Sequence, residues 1–171
     1  MKALITGASR GMGRATAIKL ASNGYHIFSC DINKNEEEVD NITQIYMDVT
    51  NSKSINDAYN EILKVTNKLD VIVNFAGIIM MNSLIEIDEE VFKRIYDINV
   101  FGAFRVNKAF FNMIKEGKGR IINTTSELAS NKVLPFNAIY AISKKSIDAY
   151  SQGLTMELGL IDIPVITLRP G

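Results

Sequence analysis

Tyr140 and Lys144 lie four residues apart in the stretch YAISK. On a helix, that spacing puts both side chains on one face, a single turn apart. A free phenol has a pKa of about 10 and is a poor base at neutral pH; bringing it near 7 takes about 4 kcal/mol. A cation about 4 Å away contributes on the order of 4 kcal/mol at an effective dielectric of about 20. Demand and supply match, so the pair is suited to moving a proton to or from a reacting oxygen. A buried aromatic beside a snorkelling lysine has the same spacing, so the pair signals catalysis only in company.

Company comes from the other end of the chain. The stretch TGASRGMG runs from Thr6 to Gly13. Gly7, Gly11 and Gly13 let the backbone turn sharply and approach a pyrophosphate closely. A helix opening near Gly11 aims its free N–H groups and positive dipole end at the phosphates. Ser9 and Arg10 add donors, and Met12 sits in the same turn. The turn follows a strand and opens a helix, which is the position dinucleotide binding requires. Asp31 closes the second strand, twenty residues after Gly11. It matches the acidic residue that hydrogen-bonds the adenosine ribose and would repel a 2′-phosphate, which favours NAD over NADP. The Arg10 guanidinium pulls mildly the other way.

These groups need a frame that brings residues 7–13, 31 and 140–144 together. Short apolar runs alternate with helical patterns from the first residue. The runs are KALIT (Lys2 to Thr6), HIFSC before Asp31, QIYMD ending at Asp48, DVIVNFAG (Asp70 to Gly77), GRIINTTS (Gly119 to Ser126) and IPVITLRPG (Ile163 to Gly171). Helical patterns cover Gly11 to Asn23, Asn51 to Asn67, Glu89 to Lys115 with a break near Asn99, and Asn137 to about Gly159. The fourth run is apolar enough for a strand buried on both faces. Alternation without a hairpin signal predicts an α/β fold: a Rossmann-like doubly wound parallel sheet with helices on both faces. Residues 1–171 read as a single domain, with no repeat or linker.

The spacings TGxxxGxG and YxxxK occur together with Asp48–Val49, NFAG at Asn74 to Gly77, Ile98–Asn99, Ser126 after the fifth strand and RPG at Arg169 to Gly171. Along nearly the whole chain this resembles the short-chain dehydrogenase/reductase (SDR) family, in its dehydrogenase branch. The resemblance implies an NAD(P)-dependent oxidoreductase that transfers a hydride between a nicotinamide cofactor and a secondary alcohol or ketone. It implies a catalytic tetrad of Asn99, Ser126, Tyr140 and Lys144. Tyr140 would be the acid/base, Ser126 would hold the substrate oxygen, and Asn99 would help pass protons to solvent through ordered water near Lys144. Asp48 and Val49 would contact the adenine. Asn74, Ala76 and Gly77 would line the cofactor side of the fourth strand, and Pro170 and Gly171 the nicotinamide end.

Two departures stand out. Phe75 occupies a position where the family usually has a second asparagine, and the interval from Ser126 to Tyr140 is one residue longer than common. Family members also continue past RPG through a substrate-covering loop to one more strand. The chain as given lacks that C-terminal strand, so the resemblance makes it a fragment or the ordered part of a longer protein.

Composition narrows the partners. Apolar residues make up 47% and charged residues 22% of the chain, as in a soluble globular domain. Lys plus Arg equals Asp plus Glu, at 19 each, so charge gives no reason to expect nucleic acid or an anionic membrane. No apolar run has the roughly 18 residues of a membrane helix, and the N-terminus lacks a signal-peptide pattern. A single cysteine, Cys30, rules out an internal disulfide framework and reads as core filler. No His, Cys and carboxylate cluster has metal-ligand spacing, and the lone His26 lies away from every motif. A cytoplasmic protein with a small-molecule substrate is expected. The stretch NVFGAFRVNKAFFNMI is apolar on more than one helical face, which suits burial against another subunit; the resemblance adds a homodimer or homotetramer. Two rival readings are a non-catalytic cofactor-binding or oligomeric module and a sugar-nucleotide epimerase or dehydratase. The latter shares the tyrosine and lysine.

Overall fold

A computed structural model of the chain describes residues 1–130 and 133–171. Six strands form one sheet: β1 (Lys2–Thr6), β2 (His26–Asp31), β3 (Ile42–Tyr46), β4 (Val71–Asn74), β5 (Arg120–Thr124) and β6 (Val165–Leu168). Their order is β3-β2-β1-β4-β5-β6, and every neighbouring pair is parallel. The helices are α1 (Gly11–Ala21), α2 (Ser52–Leu63), α3 (Glu89–Tyr96), α4 (Ala103–Gly117) and α5 (Ala138–Gly159). The Rossmann-like doubly wound sheet expected from the alternation is therefore present. Strand order reverses between β1 and β4, and a crevice opens beyond the carboxyl ends of strands at such a switch point.

The strands alternate their side chains between two apolar layers. Leu4, Phe28, Ile72 and Ile121 face one layer, with Ile55, Phe110 and Met113 from the helices over it. Ala3, Ile5, Ile27 and Val73 face the other, against Ala17 and Ala21 of α1. Small residues on α1 let it lie close to the sheet, which holds the glycine turn against the ends of β1 and β4. Of the aromatic run expected to face another subunit, Phe110 and Met113 are buried in the chain's own core, whereas Phe101 and Phe104 remain about half exposed.

Several boundaries differ from the sequence expectation. The third strand, expected at Gln44 to Asp48, runs Ile42–Tyr46, with Ile27 opposite Ile42. Asp48 leaves the ladder because its groups serve the turn into α2. Its N–H donates to Ser54 Oγ (2.9 Å), and its Oδ1 accepts from the Thr50 N–H (2.9 Å) and hydroxyl (2.7 Å). Asn51 caps α2 by accepting from the Lys53 and Ser54 N–H groups. The helix stops at Leu63 rather than Asn67, where Thr66 turns the chain through its hydroxyl and Lys68. The break near Asn99 is a π-helical turn, Asp97–Gly102, between α3 and α4. Such turns are rare and concentrate at functional sites.

Candidate active site

The glycine turn is a packing requirement. Gly7 has φ +66°, and a Cβ there would lie 2.8 Å from the Ala76 nitrogen. A Cβ on Gly13 would lie 2.2 Å from the Gly7 carbonyl oxygen. The backbones of β1, α1 and the segment after β4 thus meet with no room for a methyl group. Gly11 opens α1 with φ +55°. Above this junction lies a cleft of about 910 Å³, enough for a large organic ligand.

Its walls include Gly7, Arg10, Met12, Gly13, Asp31, Asp48, Val49, Ala76 and Gly77, nine of the residues expected to hold a cofactor. The Asp31 carboxylate is set in place by the Ser9 N–H (3.0 Å) and the Asn33 N–H (3.0 Å). The Ser9 backbone therefore orients Asp31, and Ser9 itself does not line the cleft. Arg10 is exposed and forms no ion pair among the described residues. Phe75, in place of the second asparagine, contributes an apolar wall to the cleft and packs on the α1 layer.

Six other expected residues do not line the cleft, Tyr140 and Lys144 among them, as described below. Gly11 faces open space at the helix start. The Asn74 side chain turns into the protein interior, as described below. The Pro170 carbonyl accepts from the Glu127 N–H (3.1 Å), and Gly171 lies against the Glu127 carboxylate. Both sit beside the residue that follows Ser126.

Lys144 and Asn99 converge below Gly77. A Cβ on Gly77 would lie 3.2 Å from Asn99 Oδ1 and 3.6 Å from Lys144 Nζ. Lys144 is 5% exposed. Its ammonium donates to the Thr124 carbonyl (3.0 Å) and lies 5.7 Å from the Tyr140 ring centroid. Burial lowers its pKa from 10.5 to about 8. Asn99 is locked by its side chain: Nδ2 donates to the Ile78 carbonyl (2.9 Å) and to Ser143 Oγ (3.0 Å), while Oδ1 accepts from the Ile78 N–H (2.8 Å). Every polar atom of that amide is used in fastening the π-turn to β4's exit and to α5. Ser126 precedes a short 3₁₀ turn (Glu127–Ala129) and is buried.

The Tyr140 phenol corrects one expectation. Its pKa is raised, not lowered: partial burial pushes it up, and the neighbouring Ser126 hydroxyl only partly offsets that. Desolvation of the phenolate dominates, and the Lys144 ammonium donates instead to the Thr124 carbonyl. In this state the phenol is a proton donor. The longer interval between Ser126 and Tyr140 is only partly visible, because residues 131–132 lie outside the described residues.

One feature escaped the sequence reading. Asn74, Asn107 and Asn123 form a buried polar cluster between β4, β5 and α4. Asn74 Nδ2 donates to Asn107 Oδ1 (2.8 Å) and Asn123 Oδ1 (3.0 Å). Asn107 Nδ2 donates to Asn123 Oδ1 (3.2 Å) and the Tyr150 hydroxyl (3.3 Å). Asn123 Nδ2 donates to Ser151 Oγ (3.0 Å) on α5. Asn123 precedes Thr124, so the cluster fixes the strand end whose carbonyl receives Lys144. The available signal was three asparagines on faces otherwise occupied by Ile, Val and Phe. Among the described residues, no group of His, Cys, Asp and Glu is arranged to hold a metal ion. No helix there is long and apolar enough to cross a membrane.

Known proteins share this sequence pattern and this fold. A family model described as short chain dehydrogenase matches residues 1–171. The NADPH-dependent 1-acyldihydroxyacetone phosphate reductase of Schizosaccharomyces pombe is 34% identical over 175 residues, covering 98% of this chain and 58% of that one. The L-2,3-butanediol dehydrogenase of Corynebacterium glutamicum is 30% identical over 182 residues, covering 99% and 70%. Among solved structures, the alcohol dehydrogenase of the archaeon Thermococcus sibiricus complexed with 5-hydroxy-NADP superposes with a TM-score of 0.89 at 29% identity, covering 99% of this chain and 75% of that one. The chain spans about three-fifths of the length of several curated relatives it matches. A match reaching from its first residue to its last, on a sheet with this strand order and this glycine junction, leaves one assignment: the chain belongs to the short-chain dehydrogenase/reductase family.

Proposed function

We propose that this chain is an NAD(P)-dependent oxidoreductase interconverting a secondary alcohol and a ketone, with Tyr140 as acid/base. The observation that carries the reading is the buried Lys144 ammonium beside the Tyr140 ring and next to Gly77, which lines a cleft floored by the glycine junction. The junction and the Asp31 carboxylate fit a dinucleotide, because they offer close backbone approach at one end and a ribose acceptor at the other. The chemistry a bound nicotinamide supplies is hydride transfer. In reduction, the raised pKa keeps Tyr140 protonated and ready to give its O–H proton to the substrate oxygen. Ser126 donates a hydrogen bond to the same oxygen as charge develops there. Lys144 holds a positive charge close by and favours the resulting phenolate. In oxidation the phenolate must form first, and the ammonium together with the positive ring of an oxidised cofactor favours it. Asn99 keeps Gly77, Ile78 and α5 in register, so that these groups meet.

NAD is favoured over NADP because the Asp31 carboxylate would repel a 2′-phosphate. The exposed Arg10 opposes that preference, as do the S. pombe relative and the T. sibiricus complex, which use or hold the phosphorylated form. Residues 1–171 work as one unit carrying both cofactor and catalytic groups. The half-exposed Phe101 and Phe104 suit a homodimer or homotetramer, which sedimentation equilibrium reads directly. A cytoplasmic site of action accords with the need for a nicotinamide pool.

The test is ketone-dependent loss of NADH or NADPH absorbance with the purified chain. Tyr140→Phe is expected to lower kcat by about 10²–10⁴-fold while cofactor affinity stays within about threefold. Unchanged turnover in that variant refutes the assignment of Tyr140. Activity with bound, unconsumed NAD would favour the epimerase reading, and cofactor binding without any turnover the non-catalytic one.

A further inference from the structure

Two loops rim the Tyr140 corner, and both are apolar where they meet water. The first, residues 78–87, leaves β4's end directly after Gly77, which lies over Asn99 and Lys144. The second, residues 133–137, runs into α5 three residues before Tyr140. Together they contain one charged residue, Glu86. Ile79, Met81, Leu84, Ile85, Leu134 and Phe136 are all exposed, from 48% at Leu84 to 94% at Ile85. Single exposed apolar residues are ordinary, but a contiguous set beside reacting groups marks a binding surface.

The loops form one surface, since the Asn82 N–H donates to the Phe136 carbonyl (2.9 Å). Phe136 itself has φ +64°, a left-handed conformation that bulky residues rarely adopt. Asn137 N–H closes the turn onto the Leu134 carbonyl (3.2 Å). A glycine would satisfy that backbone without strain. A phenylalanine in that conformation, with 60% of it exposed, points to a use for the ring, because strained backbone clusters at binding sites and ligand clamps.

We propose that these two loops bind the body of the substrate, and that the chain therefore acts on neutral ketones or secondary alcohols carrying a long hydrocarbon body. Among the described residues these loops carry no Lys, Arg or His to meet a phosphorylated sugar. The inference rests on Tyr140 and Ser126 being the reacting groups, because the surface is oriented by its distance from them.

The experiment measures kcat/KM for a 2-alkanone series from 2-butanone to 2-dodecanone with NADH and NADPH. In parallel, 2-decanol and 2-butanol are titrated by calorimetry. Full burial of a methylene corresponds to about fourfold in binding, so kcat/KM is expected to rise about two- to fourfold per added carbon until the surface is filled. Phe136→Gly, which suits the local backbone, is expected to cut the ratio of kcat/KM for 2-decanone over 2-butanone at least about tenfold. Met81→Gln serves the same purpose should the first variant misfold.

A flat or falling series, with 2-butanone still reduced, overturns the proposal and leaves the oxidoreductase reading standing. No turnover of any ketone removes that reading. The titrations then decide alone: 2-decanol bound at least about tenfold more tightly than 2-butanol, with the difference lost in Phe136→Gly, supports the surface, and equal affinities overturn it. Concentration-dependent sedimentation that Phe136→Gly abolishes, with the chain-length slope unchanged, assigns the patch to contact between copies and also overturns the proposal.

Discussion

Replacing Lys144 by methionine removes a buried ammonium and keeps most of the packing. The depression from 10.5 to about 8 corresponds to about 3 kcal/mol of disfavoured charge in the folded state. Between those two values the unfolded lysine still holds its proton while the folded one has lost it. The unfolded state then binds more protons, so wild-type stability rises with pH across the window, and the full penalty is present below about 8. Cys30, Tyr140 and Tyr150 are pushed upward by burial and act in the opposite sense at alkaline pH. Cys30 and Tyr150 are common to both proteins and cancel in the difference; Tyr140 loses a neighbouring cation in the variant, and its phenol is pushed further up, which shrinks the difference in the same direction. The stability of Lys144→Met minus that of wild type is therefore expected to shrink by about 2 kcal/mol between pH 7 and 9.5. Its absolute level also carries the lost hydrogen bond to Thr124, about 1 kcal/mol. Urea unfolding followed by tyrosine fluorescence and circular dichroism measures it, since the chain has no tryptophan. A difference that is constant with pH, or that grows, would refute burial as the dominant influence on this amine. The same variant is expected to lose most of its turnover, so stability and activity move in opposite directions at neutral pH.

Gly13→Ala places a methyl group on the Gly7 carbonyl and is expected to cost roughly 2–4 kcal/mol, read as a lowered urea midpoint, together with loss of dinucleotide binding in calorimetry. Asn123→Ala strands donors from Asn74 and Asn107 and leaves the Ser151 hydroxyl oxygen without the donor it accepts from; about 2–4 kcal/mol of stability should disappear, and an unchanged midpoint would show that water fills the gap. Asp31→Ser removes the carboxylate from the adenosine end of the cleft and should raise the NADPH-to-NADH ratio of kcat/KM by at least about tenfold, by relieving roughly 1.4 kcal/mol of repulsion; no change would place the preference with Arg10.

The strand–helix alternation and the glycine junction were legible because each follows from a short-range rule. Apolar runs of four to six residues between helical patterns leave few alternatives to a parallel sheet. Gly7, Gly11 and Gly13 can be read from position alone. What the sequence hid is what depends on contacts between distant segments. The end of β3 moved because Asp48, Thr50 and Ser54 bond one another in preference to the ladder. Asn74 was expected at the cofactor and instead faces Asn107 and Asn123, thirty-three and forty-nine residues away. The phenol of Tyr140 was expected to be acidified by a lysine one turn along the helix. Spacing gave the shared face correctly, but it carries no information on where the ammonium finds its acceptor. That acceptor is the Thr124 carbonyl, supplied by a different strand.

The glycine junction has a consequence for how this scaffold can change over generations. Where Gly7, Gly13 and Ala76 touch backbone to backbone, drift has no intermediate steps, since even a single methyl group has no place to go. The rim at Arg10 and residues 31–33 is open to water and rests on hydrogen bonds that other polar residues can make. A lineage built on this chain is therefore free to exchange one nucleotide preference for another by altering a few rim residues. The glycine junction, the proposed seat of a pyrophosphate, stays frozen beneath them.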